Sequence, residues 1–223
     1  MPLQAYVERT RLRACRTQPI KRSERSCISS FYYFWARLST HDRELNHGPR
    51  FILALDSAGE CCRAVIFDVL RASRPEFHKK LVMVKGDCSL PKLGLSNSDY
   101  EILIQQVNII FHLAATVKFD EKFNIAIPIN VGGTKEIIDL CRACVKLKSM
   151  VYISTAYSNC HLKEIRECFY DPPFDMDEDI INYLCTADEA TIELLKPKIL
   201  DKWPNTYTFT KSIAENITKK NCC

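Results

Sequence analysis

The chain has 223 residues, enough for one full domain, and its apolar fraction of 47% is ordinary for a globular protein. A net charge of +4 is too small to imply a nucleic-acid partner. No stretch approaches the ~18 apolar residues that a membrane-spanning helix needs, so none is expected.

Residues 1–50 carry ten Lys or Arg against four Asp or Glu. Arg9, Arg11, Arg13, Arg16, Lys21, Arg22 and Arg25 alternate with Ser and Thr, and Phe31–Trp35 is an aromatic cluster without period. Glu8 and Glu24 interrupt what otherwise resembles a transit peptide, and no apolar core of a secretory leader is present. The reading for residues 1–60 is a poorly ordered basic arm, and for 61–223 an α/β domain. Twelve cysteines without a leader, several inside apolar runs, are read as reduced thiols rather than as a disulfide framework. Cys141 and Cys144 have CxxC spacing, but no second pair or His cluster completes four metal ligands, so no metal is expected.

From residue 62 onward the pattern sharpens. Ala64–Leu70 reads as a helix, and Leu81–Val84 as a short strand ending at Lys85-Gly86-Asp87. Asn97–Gln106 reads as a helix, with Ser96 as its cap and Asp99 and Glu101 near its start. Val107–Leu113 (VNIIFHL) is a continuous apolar run, which suits a parallel strand buried on both faces. Gly132–Leu147 places Ile137, Ile138, Cys141, Cys144 and Val145 at helical spacing. Met150–Ile153 is another short strand. Residues 170–200 are acidic, hold three prolines and read as loop with a helix near 187–196. Residues 205–219 read as a helix. Strands alternating with helices predict a doubly wound, Rossmann-like parallel sheet with right-handed crossovers.

Ligands of such sheets bind at the carboxyl ends of the strands. That rule selects Gly86-Asp87, Ala114-Ala115 and Ser154-Thr155. Tyr207 and Lys211 lie one helical turn apart, on one face of the last helix. A hydroxyl at Thr155 or Ser154, the Tyr207 phenol and the Lys211 ammonium form a constellation able to protonate an oxygen that gains charge as hydride arrives at its carbon. A phenol has an unperturbed pKa of about 10, and a neighbouring ammonium or a nicotinamide cation favours its anion. The plain alternatives are a chance Tyr–Lys spacing in a chain with nine tyrosines, and a Ser-Thr pair that caps a turn. His112, inside an apolar strand, reads as a satisfied core histidine.

Four blocks resemble the fatty acyl-CoA reductases, members of the extended short-chain dehydrogenase/reductase group. They are KGDCSLPKLGLS (85–96), VNIIFHLAATVKFDEKFNIAIPINVGGTKEIIDL (107–140), VYISTAYSNC (151–160) and PNTYTFTKSIAE (204–215). The resemblance runs from about residue 64 to the end. It implies NADPH-dependent reduction of long-chain acyl-CoA, by way of the aldehyde, to the alcohol, in fatty acid, wax or ether-lipid metabolism. By position in the motifs it implies Tyr207 and Lys211 as catalytic groups. Thr155 is the first choice for the hydroxyl and Ser154 the second. Asp87 would meet the adenine, Ala114 and Ala115 would line the cofactor cleft, Lys211 would also hold the ribose, and Asn130 would support the site. The resemblance also implies action at peroxisomal or endoplasmic reticulum membranes, on the cytosolic face, through an anchor that is not expected within these residues.

One element of the resemblance is missing. The six glycines, Gly48, Gly59, Gly86, Gly94, Gly132 and Gly133, include no TGxTGFxG-type turn for a pyrophosphate. The first βαβ unit is therefore expected to be absent, and the chain is expected to behave as an internal piece with little turnover of its own. Two other readings are an extended dehydrogenase or epimerase acting on sterols or sugar nucleotides, and a non-catalytic protein whose basic arm contacts anionic membrane.

Overall fold

The computed structural model describes residues 5–7, 50–54, 72, 76, 81–172 and 178–222. The helix expected at Ala64–Leu70, the basic run 9–25 and the aromatic cluster 31–35 lie outside the described residues. Five strands are present among those described: β1 (Ala5–Val7), β2 (Arg50–Ala54), β3 (Leu81–Lys85), β4 (Ile109–His112) and β5 (Ser149–Tyr152). Every ladder is parallel, in a three-stranded sheet of order β1-β5-β4 and a two-stranded sheet β2-β3. Two of these strands come from residues 1–60, where the sequence has no readable period. β1 adds to β5 with Ala5 opposite Met150, and β2 adds to β3 with Arg50 opposite Leu81.

Helix α1 (Asn97–Gln106) begins where Ser96 accepts the Asp99 amide at 3.1 Å. It returns the chain to β4, which pairs with β5 in the register Ile109 opposite Ser149 and His112 opposite Tyr152. The apolar run before residue 113 is not buried evenly. Ile110 and His112 are buried, as are Met150 and Tyr152 beside them, while Ile109, Phe111 and Val151 are half-buried. The sheet thus covers one face more completely than the continuous run predicts.

After β4 the chain forms a short helix, α2 (Phe123–Ala126), a π-helical turn over Ile127–Gly132, and α3 (Gly133–Ala143). Only α3 was legible as a helix. Pro128 lacks an amide proton and Gly132-Gly133 carries low helix propensity, yet buried Phe123, Ile127 and Val131 hold the segment in place. Residues 170–200 hold two helices, not one: α4 (Glu178–Thr186) and α5 (Glu189–Leu200), the latter capped by Asp188 accepting the Thr191 amide at 2.9 Å. The last helix is α6 (Thr206–Cys222).

One core cluster joins β3, β4 and β5 to α1, α3 and α6 through Val84, Leu103, Ile110, Ile138, Met150 and Ala214. A second joins α2, α4, α5 and α6 through Phe123, Leu184, Ile192, Phe209 and Ile213. Helix α6 belongs to both, and nearly every residue from Thr206 to Thr218 is buried. Its hydroxyls are tolerated there because several bond back along the helix: Thr210 Oγ1 to the Thr206 carbonyl at 2.9 Å, and Thr218 Oγ1 to the Ala214 carbonyl at 2.9 Å.

Candidate active site

The end of β3 turns through Pro91–Gly94, where Lys92, Leu93 and Gly94 have φ of 50°, 59° and 60°. Two non-glycine residues in the left-handed region cost about 1–2 kcal/mol each. Burial of Leu93 and three hydrogen bonds offset this: Asp87 N to Leu93 O at 2.7 Å, Leu93 N to Leu90 O at 3.0 Å, and Lys92 N to Glu136 Oε2 at 2.7 Å. The Asp87 carboxylate lies exposed at the strand end and accepts both the amide and the hydroxyl of Ser89, which hold it below the usual carboxylate range. The turn rests on α3. A Cβ on Gly133 would lie 3.0 Å from the Cβ and the carbonyl oxygen of Cys88.

Ala114 and Ala115, just past β4, are half-buried. Asn130 sits in the π-turn and is fully buried. Its Oδ1 accepts the Thr116 amide at 2.9 Å, and its Nδ2 donates to Thr210 Oγ1 at 2.9 Å. It therefore ties the loop after β4 to α6. Behind it, Thr134 Oγ1 donates to the Asn130 carbonyl at 2.7 Å and lies 3.0 Å from His112 Nε2. The one hydroxyl proton is committed, so Thr134 accepts from His112, and the imidazole carries its proton on Nε2. Burial first, and then the Lys211 charge, push the His112 pKa down to about 3.

Lys211 is buried at 2% exposure. Its ammonium donates to the Ile153 carbonyl at 3.0 Å and lies 4.4 Å from the centre of the Tyr152 ring. Burial places the Tyr152 phenol well above its ordinary pKa, which keeps it neutral beneath this cation. These contacts fasten α6 to the carboxyl end of β5, where the backbone bond from Ile153 N to His112 O at 2.9 Å continues the ladder past the last paired residues. Tyr207, one turn earlier and half-buried, stacks on Phe119 with ring centres 5.6 Å apart.

The two hydroxyls after β5 are not equivalent. Ser154 Oγ donates to Glu215 Oε1 at 2.5 Å, which turns it toward α6. Thr155 Oγ1 accepts the Tyr157 amide at 3.3 Å and sits half-buried in the loop. The strand ends of β4 and β5 are joined directly, while that of β3 is linked to them through α3. Phe119, Thr210 and Glu215 were missed at the level of sequence. For Glu215 a signal existed, since Tyr207, Lys211 and Glu215 repeat every four residues along α6. Cys141 and Cys144, the CxxC pair, are buried thiols that form no disulfide, and burial raises the Cys144 pKa.

The family model described as male sterility protein, an NAD-binding domain, matches residues 58–223. The chain belongs to that family. Among curated proteins, it is 42% identical over 156 residues to the fatty acyl-CoA reductase wat of Drosophila melanogaster, covering 70% of this chain and 30% of that protein. It is 37% identical over 155 residues to fatty acyl-CoA reductase 1 of Gallus gallus, again 70% of this chain and 30% of the relative. Human fatty acyl-CoA reductase 2 is 34% identical over 178 residues, 76% of this chain and 34% of that one. The chain thus spans about 30% of the length of these relatives. The terminal reductase domain of the myxalamid biosynthetic pathway has the same fold, with a TM-score of 0.56, 19% identity, and coverage of 87% of this chain and 43% of that one. A nonribosomal peptide synthetase reductase domain from Mycobacterium tuberculosis matches with a TM-score of 0.51 and 23% identity, over 88% of this chain and 42% of that one.

Proposed function

We propose that this male sterility-type domain carries the reducing centre of an NADPH-dependent fatty acyl-CoA reductase. The observation that carries the reading is Lys211, buried against the Ile153 carbonyl and the Tyr152 ring one turn from Tyr207. Burial of an ammonium in this way is costly, and a helix that only packs on a sheet has no need of it.

The described residues fit the two ends of a dinucleotide better than its middle. Asp87 suits the adenosine end, and Ala114, Ala115 and Lys211 suit the nicotinamide ribose. Among the described glycines, Gly94 is occupied by a left-handed turn and Gly133 by the close approach of Cys88, so neither forms a pyrophosphate cradle. When bound, the reduced nicotinamide supplies the hydride.

In this reading Thr155 hydrogen-bonds the thioester carbonyl oxygen and stabilises the charge that develops there. Tyr207 gives that oxygen a proton, and the positive charge of Lys211 favours the transfer. Collapse of the resulting hemithioacetal breaks the carbon–sulfur bond and releases CoA as its thiol, leaving the aldehyde. A second hydride and a second proton, again through Tyr207, give the alcohol. Each round consumes one hydride and one proton.

NADPH oxidation with hexadecanoyl-CoA, with the lipid product identified by gas chromatography, tests the reading. The expected result is a low yield of aldehyde or alcohol from the wild-type chain, in keeping with a sequence that has no glycine turn for the pyrophosphate, and a further loss of about 10²–10⁴-fold in Tyr207→Phe, the usual contribution of a proton donor. Turnover unaffected by the substitution, or no NADPH binding by calorimetry, overturns the assignment. Turnover only with a hydroxysterol or a nucleotide sugar overturns the substrate class.

A further inference from the structure

Glu215 stands one turn beyond Lys211 and two beyond Tyr207 on α6, at 2% exposure. A carboxylate so deeply buried is tolerated only when donors surround it. Three donors converge on it: Ser154 Oγ at 2.5 Å and Ser158 Oγ at 2.7 Å on Oε1, and Asn159 Nδ2 at 3.4 Å on Oε2. All three come from the loop that follows β5.

The Ser158 hydroxyl also lies 3.1 Å from the Thr155 carbonyl, but it has one proton, and the shorter, charge-assisted bond to Glu215 takes it. The Ser158 amide serves the Thr155 carbonyl instead, at 3.3 Å. The Ser158 carbonyl in turn accepts the Trp203 indole at 2.7 Å, from the turn before α6. The loop is therefore stitched to the helix of Tyr207 and Lys211 on both sides of Thr155.

We propose that Glu215 is a positioning residue: its carboxylate draws Ser154, Ser158 and Asn159 onto α6 and so holds Thr155 in fixed relation to Tyr207. What it positions rests on the reductase reading; that it fixes the loop does not. It also accounts for the STAYSN block, in which Ser154, Ser158 and Asn159 turn to Glu215 and Thr155 does not.

The test compares the full chain with Glu215→Ala and Glu215→Gln by hydrogen exchange across residues 153–160 and by kcat and KM for NADPH. Alanine removes the acceptor, and glutamine keeps an oxygen for both serines. Exchange in 153–160 is expected to rise about tenfold or more in the alanine variant, as in other local openings, with the rest of the sheet unchanged. Glutamine is expected to restore wild-type protection. The kcat should fall in the alanine variant, KM for NADPH should hold, and glutamine should recover most of the rate. Unchanged exchange in the alanine variant, or a rise spread evenly over the chain, overturns the proposal. If the alanine variant does not fold, Ser158→Ala decides by the same local readout. A wild-type chain that binds no NADPH by calorimetry sinks the reductase reading, while the exchange result still decides for or against Glu215.

Discussion

Ser154 and Thr155 are adjacent hydroxyls that residue type alone cannot rank. Their ranking depends on Glu215, 61 residues further on, which claims Ser154. Thr155→Ala is therefore expected to lower kcat by about 10²–10³-fold, as loss of an oxyanion donor does, with little effect on the unfolding midpoint. Ser154→Ala is expected to lose about 1–3 kcal/mol of stability through the buried carboxylate it leaves short of a donor, with a smaller fall in kcat as one tether of the Thr155 loop is lost. Urea unfolding and steady-state kinetics on both variants check the pair. His112 offers a second test. It packs against Thr134, the Tyr152 ring and the Lys211 charge, and its folded pKa of about 3 lies below the unfolded value near 6.5. Its contribution is then complete above pH 6.5 and is lost as pH falls toward 3, because the unfolded chain binds the extra proton. Stability should drop by at most ~1.4 kcal/mol per pH unit across that window from this group. The slope should flatten in His112→Asn, read as urea midpoints between pH 7 and pH 4. The sequence made His112 legible as a core histidine; its partner Thr134 and its tautomer are products of packing.

Among the elements, α1 was legible to the residue, because Ser96 and Asp99 mark its start and its length is ordinary. The strands β3, β4 and β5 were legible as apolar runs. The π-turn was not, since proline and paired glycines argue locally against a helix. The glycine pair shows what local reading misses. Gly132 and Gly133 both have helical backbone, but a Cβ on Gly132 would meet only the Ile127 carbonyl oxygen, at 3.9 Å. On Gly133 it would meet Cys88 at 3.0 Å from both side chain and backbone. Gly132→Ala should therefore be neutral or stabilising by up to about 1 kcal/mol, since alanine restricts the unfolded chain. Gly133→Ala should cost about 1–3 kcal/mol, because the turn after β3 must move off α3. Denaturant midpoints of the two variants, one residue apart, measure the contact directly. Equal effects would mean that the turn yields freely.

At the scale of the whole molecule, the parallel α/β plan was legible from the alternation of strands and helices. The way β3 and β5 acquire neighbours was not. Residues 1–60 read as an arm because their charges and aromatic residues follow no period, and pairing of backbone groups leaves little trace in side-chain pattern. Yet β2 meets β3 over five residue pairs and β1 meets β5 over three. A free arm and a set of sheet strands make opposite predictions for truncation. Removing an arm leaves the unfolding midpoint in place. Removing β1 and β2 strips the described partner from β3 and opens one edge of β5, and each backbone group left buried without a partner costs about 1–3 kcal/mol. Deletion of residues 1–60 is therefore expected to lower stability by several times ~1 kcal/mol or to abolish the cooperative transition, as measured by calorimetry and far-UV circular dichroism. The loss should be larger than for deletion of residues 1–40, which removes β1 but keeps β2. A truncated chain that melts where the full chain does would return residues 1–60 to the status of an arm, and would leave β3 to be paired by something other than β2.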